Sequence, residues 1–247
     1  MLDRIHSTIV ALFAALVIAI GAPASNALGQ ELDPRELLNS MSAEVAGLER
    51  FILRGEAYQD ARLRAGQIIQ NSSQVTMYAS KPDAMHLVRR DAEDTKDLYF
   101  SDGLVSIYTK SVNLYAQAEV PEGLGAAVDF AINEIGIDAP LLDFVSNDMS
   151  ENLLADAQEL RHLGKSLLRG KLYEQVTIRN SEVDIQLWIA AEGRPLPGKL
   201  LISSKWEGGS PRFIVHMNWD TDPEFPDDVF NFDPPEGATE VQFVTAP

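Results

Sequence analysis

Cysteine is absent from this 247-residue chain, and cationic side chains are scarce. Without cysteine the protein can form no disulfide, thiolate metal site, cysteine nucleophile or thioether lipid anchor. Its 20 lysines and arginines stand against 37 aspartates and glutamates, which gives a formal net charge of −17 at pH 7. Because such a surface repels phosphates, the charge excludes nucleic-acid binding by a general electrostatic mechanism.

Long hydrophobic runs are also scarce, and the prominent one lies at residues 9–20. This run is shorter than the roughly 20 residues that a membrane-spanning helix needs, but it is typical of a signal peptide. Small residues at Ala24 and Ala27 complete two possible cleavage sites. We therefore predict a signal peptide at 1–27, cleavage near Ala24 or Ala27, and export to a periplasm. The alternative is an uncleaved N-terminal anchor.

The order of the predicted elements indicates one domain over 28–247. A helix begins at Asp33 and ends at Gly47, because aspartate followed by proline is a typical helix start. Period-two patterns predict strands from there to about Tyr115. A helical lid is predicted at about 123–155. The later strands are predicted at 172–179, 183–189, 196–206 and 213–219.

Strands before and after a helical insert predict an α+β fold with one large antiparallel sheet. A parallel α/β fold is not expected, since helices do not alternate with the strands. Within the insert, apolar residues of 124–135 recur at helical spacing and form one apolar face. We expect that face to cover the sheet.

Signatures of catalysis and metal binding are missing from the sequence. His86, His162 and His216 have no partners at ligand spacing, and no G-x-S-x-G motif is present. The acidic residues of 220–228 lack the glycine of a calcium loop. We therefore predict no catalytic residue, no metal and no cofactor, and expect a protein that is not an enzyme. A hydrolase with a carboxylate pair assembled in space remains a minor alternative.

Alternating apolar residues in the later strands predict a sheet with one buried face and one solvated face. Between this buried face and the lid there is either a closed core or a gap that holds an apolar ligand. The residues predicted to line such a gap are Leu124, Val128, Ala131, Ile132, Ile135, Leu142, Leu187, Ile189, Phe213, Val215, Met217 and Trp219.

Several short motifs occur together in an order that resembles one bacterial family. They are KPD at 81–83, DIQLWI at 184–189, RPLP at 194–197 and FNFDPPEGA at 230–238. The chain resembles a family of uncharacterised predicted periplasmic proteins related to the LolA/LolB/LppX lipoprotein-carrier superfamily. The resemblance implies a LolA-like half-open β-barrel, in which helices cover the concave face of a curved antiparallel sheet.

The resemblance also implies a function, since superfamily members hold acyl chains of lipoproteins or other lipids in this cavity, and some relatives are periplasmic sensors. We therefore expect a soluble, monomeric periplasmic protein that binds a lipid, a lipoprotein acyl chain or another apolar ligand, as carrier or sensor. A periplasmic or membrane protein is a further expected partner. The alternative is a protein-interaction or sensor module with a closed core and no ligand.

Overall fold

A helix, α1, opens the described part of the chain at Pro34–Ala46. The Asp33 side chain accepts a hydrogen bond from the Arg35 backbone N–H at 2.8 Å, so the predicted cap is confirmed. The helix ends at Gly47, also as predicted. The computed structural model describes residues 32–136, 140–145, 149–205 and 211–243; the predicted signal peptide and parts of the predicted lid lie outside them.

Six strands follow α1, where the sequence predicts strands. They are β1 (Arg50–Arg62), β2 (Ile68–Ser80), β3 (Ala84–Arg90), β4 (Thr95–Ser101), β5 (Leu104–Thr109) and β6 (Leu114–Glu119). Each pairs antiparallel with the next along the chain. A short 3₁₀ helix, Lys110–Val112, joins β5 to β6.

The helical insert is less regular than its periodicity predicts. Helix α2 covers Leu124–Phe130 and continues as a π-helix at Ala131–Ile135. The wider π turn changes the angular spacing of side chains, and Ile132 is 37% exposed instead of lying on the buried face. A 3₁₀ helix follows at Leu142–Val145, then α3 at Met149–Leu154.

The second group of strands begins earlier than the predicted position 172. It comprises β7 (Glu159–Leu168), β8 (Lys171–Arg179), β9 (Val183–Ala190), β10 (Pro197–Ser204), β11 (Arg212–Asp220) and the short β12 (Thr239–Glu240). Strand β7 lies at the sheet edge and leaves Leu163 and Leu167 exposed. Its apolar alternation is therefore weak, which explains why the pattern did not reveal it.

All twelve strands form one sheet in the order β12-β6-β5-β4-β3-β2-β1-β11-β10-β9-β8-β7. Strand β1 pairs with β11, which joins the two groups, and only the β12–β6 pair is parallel among the described strands. The sheet is curved and open, because β12 and β7 are edges that do not meet. The predicted α+β, half-open barrel fold is confirmed.

The core lies between the inner face of this sheet and the helices. Helix α1 buries Leu38, Met41 and Val45 in one cluster with inward residues of the strands and of the insert. The helices therefore cover the inner face. Among the described residues, no helix has the length and apolar character needed to cross a membrane.

Candidate functional site

The side chains that β1 directs toward the helices become smaller along the strand. Alternation places Phe51, Leu53, Gly55, Ala57 and Gln59 on the inner face. Phe51 and Leu53 are fully buried in the core. Past them, the inner face of β1 carries Gly55, whose surrounding space is taken by Val75 and Val215, and then the small Ala57.

A cavity of about 500 Å³ lies over this part of the inner face. Its apolar lining comes from Ala57, Val75, Leu87, Pro140, Leu141, Val183, Ile202, Pro211 and Phe213. Its polar lining comes from Gln59, Asp60, Arg89, Ser204 and Arg212. Pro140 and Leu141 belong to the insert, so the cavity has a wall of strands and a contribution from the lid.

Asp60 is the carboxylate of this cavity, and both of its side-chain oxygens already accept hydrogen bonds within the protein. Gln70 Nε2 donates to Asp60 Oδ1 at 3.0 Å, while Arg212 Nε and the Arg212 backbone N–H donate to Oδ2 at 2.9 and 3.2 Å. Burial alone would raise the pKa of Asp60, but these hydrogen bonds and the Arg212 charge outweigh it, so the pKa lies below its ordinary value. Asp60 is therefore a fixed, ionised partner of Arg212.

Arg89 is the other cation of the cavity. It lies opposite Val75 in the β2–β3 register, and Val75 also lines the cavity. Arg89 Nε donates to Ser73 Oγ at 3.4 Å, and its Nη2 lies 3.6 Å from Asp91 Oδ2. These are long contacts for an arginine, compared with the 2.9 Å bond between Arg212 and Asp60.

Of the twelve residues predicted to line a gap, Phe213 lines this cavity. Four others lie on the same inner face and are buried between neighbouring strands: Leu187, Ile189, Val215 and Met217. The pairing of Leu200 with both Leu187 and Val215 confirms that these strands share one apolar face.

The remaining predicted residues lie under or on the helices. Leu124, Val128, Ala131 and Leu142 are buried in the core, and Ile135 is partly buried against it. The Trp219 ring packs against Phe51 and Phe144, with ring centroids 5.2 and 5.7 Å apart. Ile132 is exposed. That these residues bind ligand stays a prediction.

Most of the cavity wall, including Ala57, Val75, Leu87 and Arg89, is not predicted by the sequence pattern. Their role in the cavity leaves little trace in the sequence, because each of these residues fits the ordinary alternation of a strand. The one local clue was Ala57, a small inward residue after the large Phe51 and Leu53 on the same strand. The size of successive side chains on one face of a strand indicates where a cavity lies, and the pattern of hydrophobic alternation does not record it.

Two of the histidines form buried pairs with carboxylates. His86 Nε2 lies 2.9 Å from Asp97 Oδ1, and His162 Nε2 lies 2.8 Å from Glu174 Oε2. Burial, with a smaller effect of the Asp97 charge, raises the pKa of the neighbouring Tyr99 to about 12. Within the described ranges, no three His, Asp or Glu side chains are grouped as a metal site requires. Neither histidine pair lines the cavity.

The outer face of the early strands is covered by the C-terminal segment, residues 221–243. Phe225 lies 6.5 Å from Tyr78, centroid to centroid. The Phe232 ring lies between 5.4 and 5.9 Å from three tyrosines, which are Tyr99, Tyr108 and Tyr115. The solvated face that the alternation of the later strands predicts therefore does not extend across the early strands.

Comparison with known proteins gives one family and several structures. Residues 35–244 match the profile of a family described as "Predicted periplasmic protein (DUF2092)". Among curated proteins, none matches this sequence.

Three solved structures are similar to this chain at low sequence identity. An uncharacterized conserved protein from Thermus thermophilus is 10% identical with a TM-score of 0.50, over 84% of this chain and 98% of that chain. Mycobacterium tuberculosis lipoprotein LppX is 13% identical with a TM-score of 0.47, over 78% and 98%. A LolA superfamily protein from Nitrosomonas europaea is 9% identical with a TM-score of 0.38, over 81% and 98%.

Proposed function

The chain belongs to the DUF2092 family of predicted periplasmic proteins, and from that premise we propose that it binds a lipid or another apolar molecule between sheet and lid. The cavity of about 500 Å³ on the inner face carries this proposal. Its volume falls in the range of roughly 300–1,000 Å³ that small-molecule sites occupy. Protein interiors otherwise pack densely, with few voids larger than a water molecule.

The lining supports an apolar ligand with one polar end. Nine of the fourteen lining residues are apolar, and the polar ones include the Asp60–Arg212 pair and Arg89. Burial of apolar ligand surface would contribute roughly 25 cal/mol per Å². Because binding needs no bond making or breaking, a carrier or sensor role requires no catalytic group.

The lid supplies a route for entry. Leu141 and Pro140 line the cavity and directly precede the 3₁₀ helix at Leu142–Val145, so they do not belong to the strands of the sheet. Short helical turns of this kind can shift without breaking a strand ladder. In this proposal, movement of the insert admits and releases the ligand.

Export and processing are part of the same proposal. The predicted signal peptide at 1–27 lies outside the described residues, and we propose that cleavage leaves a single monomeric domain beginning near Ser25 or Leu28. N-terminal sequencing of protein from the periplasmic fraction should begin at one of these residues. Intact Met1 in the membrane pellet would contradict this.

Extraction of the purified protein with organic solvent, followed by mass spectrometry, tests the ligand directly. We expect a lipid in near-stoichiometric amount from the wild type and little from Ala57→Phe, whose ring would occupy the cavity. Ala65→Phe, the same change at an exposed position of the β1–β2 turn that does not line the cavity, is the matched control. No lipid from the wild type, together with no binding of added decanol, would favour a protein-interaction module with a closed core.

A further inference from the structure

We propose that Arg89 binds the anionic head of a single-chain amphiphile, such as a fatty acid, whose tail occupies the cavity. This inference rests on the proposed function and adds the charge and size of the ligand. It follows from the hydrogen bonds and ion pairs that the three charged side chains of the cavity, Asp60, Arg89 and Arg212, already make.

The buried carboxylate does not select a cationic ligand. Asp60 is 5% exposed at its side chain, and both oxygens accept hydrogen bonds from Gln70 and Arg212. A cation would have to displace Arg212 from a 2.9 Å contact. Asp60 and Arg212 therefore neutralise each other.

Arg89 is less closely paired than Arg212: the carboxylate oxygen that it contacts, Asp91 Oδ2, lies 3.6 Å from its Nη2, whereas Asp60 Oδ2 lies 2.9 Å from Arg212 Nε. A guanidinium carries five N–H groups, and among the described residues Arg89 contacts only Ser73 and Asp91, at 3.4 and 3.6 Å. The Asp91 carboxylate also accepts hydrogen bonds from the backbone N–H groups of Glu93 and Asp94, which hold it in the β3–β4 turn. Arg89 can therefore present a forked pair of donors to a carboxylate or phosphate.

A second cation lies beside Arg89 on the same face. Lys96 is its register partner across the β3–β4 pair, so the two side chains point to the same side of the sheet. Asp91 and Asp94 of the β3–β4 turn lie near these cations, since backbone hydrogen bonds and the charge of Arg89 lower the pKa of Asp91, and hydrogen bonds and the charge of Lys96 lower the pKa of Asp94 against the effect of burial. The attraction for an anion at this end of the cavity therefore comes from the N–H donors of Arg89, with Lys96 close by, and not from an excess of positive charge.

The cavity volume favours one chain over several. At about 500 Å³, the cavity is in the lower half of the range of roughly 300–1,000 Å³ for small-molecule pockets. The apolar wall from Leu87 to Phe213 adjoins Arg89, so a tail on this wall places its head at the guanidinium. A fatty acid meets both requirements.

Calorimetric titration with decanoate and with decanol, at neutral pH, separates head-group recognition from tail binding. We expect the wild type to bind decanoate about tenfold more tightly than decanol, since hydrogen bonds to charged groups contribute this much. Arg89→Gln should reduce decanoate affinity to the affinity that the same variant shows for decanol. Arg90→Gln, the same change on the next residue of β3 but on the opposite face, should retain the preference.

The two probes distinguish failure of this inference from failure of the proposed function. Equal binding of decanoate and decanol by the wild type would overturn the head-group site and leave the apolar cavity standing. A preference that survives in Arg89→Gln would overturn the assignment to Arg89. Absence of binding by either probe would overturn the proposed function itself.

Discussion

The two ends of β1 face the same helical layer but differ in how the space above them is filled. At its beginning, Phe51 and Leu53 are fully buried in one cluster with residues of α1 and the insert, and the Trp219 ring packs on Phe51. Farther along, Ala57 and Gln59 face a cavity of about 500 Å³. The first part of β1 therefore contributes to a densely packed core, and the later part contributes to the wall of a cavity.

This difference shows that the cavity arises from side-chain size and not from a break in the sheet. The β1–β2 and β1–β11 ladders continue without interruption past Ala57. Small inward residues, together with the end of the helical cover, leave apolar surface that a ligand can bury. The filled end of β1, at Phe51 and Leu53, stabilises the fold, and the open end, at Ala57 and Gln59, is available to bind a ligand.

The largest difference between the two ends should come from truncating a filled-end side chain. Phe51→Ala should lower the free energy of unfolding by about 3–5 kcal/mol, because it removes a fully buried ring and leaves a void. Leu87→Ala, in the cavity wall, should cost less, since that side chain already borders empty space. Urea unfolding measures both, and equal losses would contradict the comparison.

Enlarging a small residue should have opposite consequences at the two ends. Ala131→Phe should destabilise the protein by about 1–3 kcal/mol through overpacking, because Ala131 is fully buried. Ala57→Phe should cost little stability and should abolish decanol binding. Denaturant unfolding and calorimetry on both variants provide the measurement. A loss of stability at Ala57 as large as at Ala131 would mean that the cavity cannot accept a ring.

Gly55, between the two ends, should tolerate a methyl group poorly. A Cβ there would lie 2.8 Å from the His216 carbonyl oxygen and 3.0 Å from a methyl group of Val75. Overpacking costs more than the roughly 0.5–1 kcal/mol that alanine gains over glycine in a strand, so we expect a net loss of about 1 kcal/mol for Gly55→Ala. Thermal or urea unfolding measures the loss of stability, and calorimetry should show that decanol affinity is unchanged. A variant more stable than the wild type would disprove the close contact.

The smallest expected effect concerns pH at the open end. Hydrogen bonds lower the pKa of Asp60 in the folded protein below its ordinary value of 3.8. The ionised carboxylate therefore stabilises the fold fully above pH 3.8, and this stabilisation is lost as the pH falls through the lower pKa of the folded state. Asp60→Asn should therefore lose less stability on acidification than the wild type, by less than about 1 kcal/mol. Urea unfolding at neutral and acidic pH measures this, with the exposed Asp83→Asn as control. Parallel pH profiles for wild type and Asp60→Asn would refute it.

Much of the fold followed from local pattern. The aspartate–proline start of α1, the alternation in β9 and β11, and the helical spacing of Leu124 and Val128 each reflect a short-range rule that the structure obeys. Strand β7 and the π turn were not predictable in this way. An edge strand need not alternate, and a π turn departs from the spacing on which the helix prediction rests.

The candidate site was less predictable than the fold. Phe213 was identified because it alternates with Val215 and Met217, but a cavity depends on where opposing side chains fail to fill space. That depends on contacts between residues far apart in sequence, such as Leu87, Leu141 and Ile202. Arg89 was missed for the same reason, since its position opposite Val75 is set by strand register.

The most direct test of the account is a crystal structure of the protein with decanol that carries a bromine at the end of its chain. Anomalous scattering locates the bromine without reference to any other part of the ligand. We expect a bromine peak inside the cavity, between Ala57, Leu87 and Phe213. A peak on the outer face of the sheet, or an empty cavity at saturating decanol, would contradict it.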